Sequence, residues 1–181
     1  MKKTFNIKQF IAGSCYSYIL SSQGEALIVD PHISLKEEYI SHLNKSKLQL
    51  KYIVDTHTHA DHFSLATILK KDFKTTVIMH EKAISEVANR RVRDNDELGL
   101  GNVKIKFIYT PGHTDDAVSL YVEGRLFTGD VILIGSVGRT DFQNGSPELM
   151  FDTLQRIKAF PPESIIFPGH DYHENKSSIL A

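Results

Sequence analysis

One cysteine, Cys15, is all that 181 residues offer for cross-linking, so an internal disulfide is excluded and nothing demands an oxidising compartment. Charge of one sign is not in surplus either: 21 Lys and Arg face 22 Asp and Glu, a formal net charge of −1. Without a basic field, nothing draws the chain onto a nucleic acid or an anionic membrane surface. Long apolar runs are missing, the longest reaching about a quarter of a membrane span. The start, Met1-Lys2-Lys3-Thr4-Phe5-Asn6, has basic residues but no apolar stretch behind them, which argues against a secretory signal. Linkers and low-complexity tracts are absent as well. What remains is an ordinary globular composition, 41% hydrophobic and 24% charged. It is long enough for one well-buried domain, residues 1–181, and short for two. The expected location is the cytoplasm.

Imidazole, by contrast, is concentrated. Thr56-His57-Thr58-His59-Ala60-Asp61-His62 places three histidines and a carboxylate directly after the apolar run Tyr52-Ile53-Val54. Side chains two apart on an extended segment share a side, so His57 and His59 can face one point. Imidazole with carboxylate suits zinc or non-haem iron, whereas calcium would want oxygens only. A solvated loop with Asp61 capping the next helix is the plainer alternative, and for one isolated histidine it would be preferred.

The remaining segments bring more such residues to strand ends. Phe5–Phe10, Tyr16–Leu20 and Glu25–Asp30 read as strands, the last two joined by a turn at Ser22-Gln23-Gly24. Ser34 and Glu37 form a capping-box signature that predicts a helix over 34–46, with Leu35, Tyr39 and Leu43 inward and His42 on the wet face. Lys51–Asp55 is the strand that delivers the histidine motif. Phe63, Leu65, Ile68 and Leu69 predict a short amphipathic helix from His62 to Lys71. Thr75–Met79 is a β-branched strand, and His80 at its end is read as structural. Glu81–Val87 is expected to be a short helix, Arg90, Arg91 and Arg93 a basic cluster on a solvated loop, and 94–102 a turn. Val103–Tyr109 is a strand stopping at Thr110-Pro111-Gly112-His113-Thr114. Val118–Val122 and Arg125–Phe127 form a hairpin across Glu123-Gly124, leading to Thr128-Gly129-Asp130. Ser146-Pro147-Glu148 starts a helix that runs to about Phe160. Ser164–Phe167 is a last strand, ending at Pro168-Gly169-His170-Asp171-Tyr172-His173. Pro-Gly-His thus occurs twice, a hint of two similar halves.

His57, His59, Asp61 and His62, then His113, Asp130 and His170, all follow apolar strands. Strand ends on one sheet edge are neighbours, and loops there carry function on a rigid scaffold. The order T-H-T-H-A-D-H, P-G-H-T, T-G-D, P-G-H resembles the metallo-β-lactamase-fold superfamily over nearly the whole chain. That resemblance implies an α/β fold, a four-layer αββα sandwich of two mixed β-sheets flanked by helices, with metal at one sheet edge. In the superfamily's binuclear hydrolases His57, His59 and His113 would hold one metal, Asp61, His62 and His170 a second, and Asp130 would bridge. Two further stretches, Gly138-Arg139-Thr140-Asp141-Phe142-Gln143 and His170-Asp171-Tyr172-His173, resemble the persulfide dioxygenase subgroup. There a single Fe(II) would use His57, His113 and Asp130, the facial-triad pattern of non-haem iron oxygenases. His59, Asp61, His62 and His170 would then surround those ligands and orient them, or serve a second metal.

By the same resemblance Tyr172, Arg139 and Asp61 are the expected catalytic side chains. Tyr172 would donate a hydrogen bond near the iron. Arg139 would hold an anion or the carboxylates of a thiol carrier, its structural alternative being an ion pair with Asp141 that braces the loop. The expected function is iron-dependent oxidation of glutathione persulfide, or another low-molecular-weight persulfide, by O2 to sulfite and thiol. The alternative is a zinc thioester hydrolase of glyoxalase II type with one or two Zn(II), and a third class is a metal-binding or sulfide-sensing module without turnover. Expected partners are the persulfide and O2, with a rhodanese-type sulfurtransferase and a second copy of the chain as protein partners. Two departures from the subgroup stand out. Glu174–Ala181 is short and polar where relatives continue over the pocket, which leaves coenzyme A and bacillithiol persulfides open beside glutathione. Val137 stands where many relatives carry cysteine.

Overall fold

The computed structural model describes residues 5–142, 144–171 and 177–180. With elements numbered in chain order, the first half builds one six-stranded sheet. Its strands are β1 (Phe5–Ala12), β2 (Cys15–Ser22), β3 (Glu25–Val29), β4 (Gln49–Val54), β5 (Thr76–His80) and β6 (Arg90–Val92), side by side in that order. Tight turns make β1–β2 and β2–β3 antiparallel, and longer crossovers make the other three pairings parallel. The second half builds the other sheet from β7 (Glu97–Leu100), β8 (Val103–Tyr109), β9 (Val118–Val122), β10 (Arg125–Gly129), β13 (Ile165–Pro168) and β14 (Ser178–Ile179). It is ordered β14-β13-β10-β9-β8-β7, parallel only between β10 and β13. A small hairpin, β11 (Ile132–Leu133) with β12 (Ser136–Val137), stands apart.

Strand periodicity explains the layers. In β3, Leu27 and Val29 point to the interface with the second sheet, where they join Tyr18, Val54, Phe107, Leu120 and Phe127. Ala26 and Ile28 point the other way, into a second core with Leu35, Tyr39 and Leu43 around α1 (Lys36–Lys45) and Leu65, Ala66 and Leu69 around α2 (Ala66–Phe73). The outer face of the second sheet packs Leu126 and Ala117 under Met150 and Ile157 of α3 (Pro147–Ile157). Two mixed sheets face each other with helices outside, as the αββα pattern requires. No helix among the described residues is long and apolar enough to cross a membrane.

Several local expectations are corrected. The capping box at Ser34 does not form: Ile33–Leu35 is a 3-10 turn capped by the His32 side chain, and the α-helix begins only at Lys36. Residues 62–65 stay irregular, so α2 starts four residues later than its apolar spacing suggested and Phe63 is left 83% exposed. Glu81–Val87 is not helical, and the arginine cluster begins on edge strand β6 rather than on a solvated loop. Arg91 donates to the carbonyls of His80 and Ser85, and Arg93 pairs with Glu81 at 2.6 Å. The turn expected over 94–102 contains β7, whose Leu98 and Leu100 reach the inter-sheet core.

Candidate metal centre

His57, His113 and Asp130 arrive at one point from three strand ends, with ligand atoms within 4.8 Å of one another. Asp130 Oδ2 lies 3.9 Å from His57 Nε2 and 3.8 Å from His113 Nε2, a spacing too long for hydrogen bonds and open enough for an ion between them. Two glycines permit the approach. Gly129 ends β10 at φ +50, where a Cβ would strike Thr56, and Gly112 at φ +144 lies so close to α3 that a Cβ would sit 2.5 Å from Met150 Cα.

The tautomers of both imidazoles are fixed from behind. Asp30 is buried and accepts from the Thr56 amide at 2.7 Å and the Thr56 hydroxyl at 2.8 Å. With its proton so committed, Thr56 Oγ1 can only accept from His57 Nδ1, 3.0 Å away. The Arg139 carbonyl, which can only accept, lies 2.9 Å from His113 Nδ1. Each Nε2 therefore keeps a lone pair that faces the gap. Burial lowers His57 to about 4, so it is a neutral imidazole at physiological pH. Burial alone would raise the Asp130 carboxyl, but the His170 hydrogen bond and the nearby His57 outweigh it and hold it at about 2.

The other histidines of the sequence reading make a second layer. His170 spans two carboxylates, Nδ1 to Asp130 Oδ1 at 2.7 Å and Nε2 to Asp61 Oδ2 at 3.0 Å. Burial opposes its charge, but the bonds to Asp130 and Asp61 raise it well above the usual imidazole range. With a carboxylate oxygen opposite each ring nitrogen, His170 is engaged on both sides in this arrangement. Asp61 also accepts from His62 Nδ1 at 3.0 Å, and these two contacts hold its carboxyl down against the cost of burial. His59 Nε2 lies 3.1 Å from Asp30 Oδ1. His59 Nδ1 and His62 Nε2 are buried without a hydrogen-bond partner. A buried polar atom left bare costs roughly 1–3 kcal/mol, and a cation is one remedy. Two imidazoles whose Nε2 atoms face the gap, a carboxylate and bare nitrogens behind them fit a divalent transition metal.

A cavity of about 520 Å³ opens onto His113, Asp130, Asp61 and His170, walled by Leu133, Val137 and Phe142. Arg139 lines it as well, but its Nε and Nη2 already donate to Asp141 at 2.8 and 3.1 Å. The guanidinium also lies over Phe142, 5.3 Å from the ring centre. The loop brace weighed for Arg139 is therefore present beside its place at the cavity rim. Tyr172 lies outside the described residues. His80 stays structural, stacked on Tyr109 at 4.2 Å. Missing from the sequence reading were Thr56, Asp30 and Cys15, whose Sγ lies 3.3 Å from His170 Nε2 and 3.6 Å from Asp61 Oδ2. A hydroxyl immediately before the first histidine was a visible cue for Thr56. Cys15, some forty residues before the motif, gave none.

A model of the metallo-beta-lactamase superfamily matches residues 11–170. The mitochondrial persulfide dioxygenase ETHE1 of Bos taurus is 30% identical over 172 residues, covering 92% of this chain and 68% of that protein. A hydroxyacylglutathione hydrolase of Tolumonas auensis is 30% identical over 167 residues, covering 90% of this chain and 64% of the relative. The chain thus spans about two thirds of the length of these curated relatives. The crystal structure of ETHE1 from Myxococcus xanthus superposes with a TM-score of 0.93 at 32% identity, covering 97% of this chain and 80% of that one.

Proposed function

The chain belongs to the metallo-β-lactamase superfamily, and from that premise we propose that it is an iron-dependent persulfide dioxygenase. The overall reaction is R-S-SH + O2 + H2O → R-SH + sulfite, with two protons released at neutral pH. The observation that carries this reading is the double engagement of His170, which leaves His57, His113 and Asp130 as a three-ligand set. A ferrous ion on such a facial set would supply open positions for the persulfide and dioxygen, while the four electrons that reduce O2 come from the outer persulfide sulfur. The protein's own part is positional. Asp30 and Thr56 hold His57, the Arg139 carbonyl holds His113, and Leu133, Val137 and Phe142 give the sulfur an apolar wall to lie against. Protonated His170, braced by Asp61, offers positive charge next to Asp130. Arg139, with Asp141 fixing its orientation, meets a carboxylate of the thiol carrier at the rim.

A second reading has its own support. The bare nitrogens of His59 and His62 are where a second cation would find ligands beside Asp61, which supports a two-metal zinc thioesterase of glyoxalase II type, although His59 would then serve the second ion rather than the first. Metal analysis of protein produced in iron-rich medium, with oxygen uptake on glutathione persulfide, decides between them. One iron per chain with uptake supports the dioxygenase. Two zinc ions with hydrolysis of S-lactoylglutathione and no uptake rejects it.

A further inference from the structure

We propose that Asp116 is a positioning residue that sets the gap between the two imidazoles of the metal centre, an inference that rests on His57 and His113 sharing one cation. Asp116 is 3% exposed and belongs to none of the clusters whose ligand atoms converge. Its Oδ2 accepts from the Thr58 amide at 3.0 Å and from the Thr58 hydroxyl at 2.5 Å. Its Oδ1 accepts from the Thr114 hydroxyl at 2.6 Å and, more weakly, from the Thr58 amide at 3.3 Å.

Thr58 lies between His57 and His59, and Thr114 directly follows His113. One buried carboxylate therefore fastens the imidazole-bearing loop of the first half to that of the second. The amide of Val118 donates to the Thr56 carbonyl at 2.8 Å, a backbone stitch on the other side of His57. That stitch fixes the strand ends but not the tips of the two loops. Among the described residues, Asp116 is the side chain that bonds to both tips.

All three groups bonded to Asp116 are donors, so both of its oxygens must accept. Asparagine has the same size, but its NH2 reverses one of these bonds, so that the Thr114 hydroxyl must turn round to accept, and every bond loses the charge assistance of the carboxylate. The imidazoles would then lose their common reference, and the 3.8 and 3.9 Å separations from Asp130 would relax. Groups one layer behind metal ligands affect affinity by about 10–100-fold when removed.

The test uses Asp116→Asn and Thr114→Val in the full chain. Iron(II) and zinc(II) affinities are measured by competition with a chromophoric chelator, and the visible spectrum of the cobalt(II)-loaded protein reports ligand geometry. Asp116→Asn is expected to weaken both metals about tenfold or more and to shift the cobalt bands, while the circular dichroism of metal-free protein stays that of the wild type. Thr114→Val, losing one bond to Oδ1, should move the same readouts less. Wild-type affinity and an unchanged cobalt spectrum in folded Asp116→Asn would overturn the proposal. Should that variant not fold, the same null result in Thr114→Val overturns it. None of these readouts involves persulfide or oxygen, so a failure of the dioxygenase reading is distinguishable from a failure of this one. A wild-type chain that binds no metal removes both.

Discussion

Thr56 gives the centre one hydroxyl, and that hydroxyl decides which nitrogen of His57 is basic. Thr56→Val should weaken metal binding about tenfold while Thr56→Ser retains it, measured by chelator competition. His57→Ala should strip the metal outright. Asp61→Ala should leave most of it, because Asp61 bonds to His62, His170 and Cys15 rather than to His57, His113 or Asp130. If both alanine variants come out equally empty by metal analysis, the one-metal reading falls. Burial pushes the neighbouring Asp55 carboxyl up to about 6 from an ordinary 3.8. A folded-state value raised in this way favours folding below about pH 4 and loses that advantage as pH climbs through 6. Asp55→Asn should therefore stabilise metal-free protein at pH 7.5, by up to about 3 kcal/mol, and change little at pH 4. Melting curves at the two pH values check it. Histidine and aspartate spacing was open to reading in the sequence because a metal constrains residue type. Asp116 was not, since an aspartate in a loop has many ordinary uses.

Gly112 joins an element to the site. Ser146 caps α3 by accepting from the Leu149 amide, and its own amide donates to the Gly112 carbonyl at 2.9 Å. The helix start is thus seated on the loop that carries His113. Gly112→Ala would force a methyl against Met150 and lift α3 away. The expected result is a lower melting temperature together with weaker metal binding, whereas Ser146→Ala should cost only about 1 kcal/mol of stability and leave affinity unchanged. Elements with clean local signals matched expectation: β8 ends at Tyr109 as its alternation required, and Ser-Pro-Glu marked the start of α3. Where tertiary contacts decide, local pattern misled. In β7 the Gly99 between Leu98 and Leu100 reads as a turn, but β8 supplies the pairing that makes it a strand. The 81–87 segment has helix-forming residues, yet most of its length is spent crossing from β5 to the edge.

At the scale of the whole molecule, each half of the chain makes one sheet, and the centre lies on the seam. His57 comes from the first half, His113, Asp130 and His170 from the second. A metal held across that seam stabilises the folded chain by mass action, about 2.7 kcal/mol at a free concentration one hundred times its dissociation constant. Removing it with a chelator should lower the melting temperature by roughly 5–10 °C. An unchanged transition would mean that no ion bridges the halves. The repeated Pro-Gly-His does not mark this plan, because both copies follow strands of the second sheet, β8 and β13. Which sheet edge faces which could not be read, because the long-range pairing of β10 with β13 leaves no mark in local sequence.

The division of labour between the halves also dates the arrival of the ion. A ribosome must have released Asp130 before the three-ligand set exists, and the His170 contact that steadies Asp130 comes some forty residues later still. The growing chain therefore shows its histidine-rich loop to the surroundings while it can offer only part of a cage. On the proposed ligand set, a metal captured at that stage would be held weakly, and the choice of ion would wait until the second sheet has closed over the first.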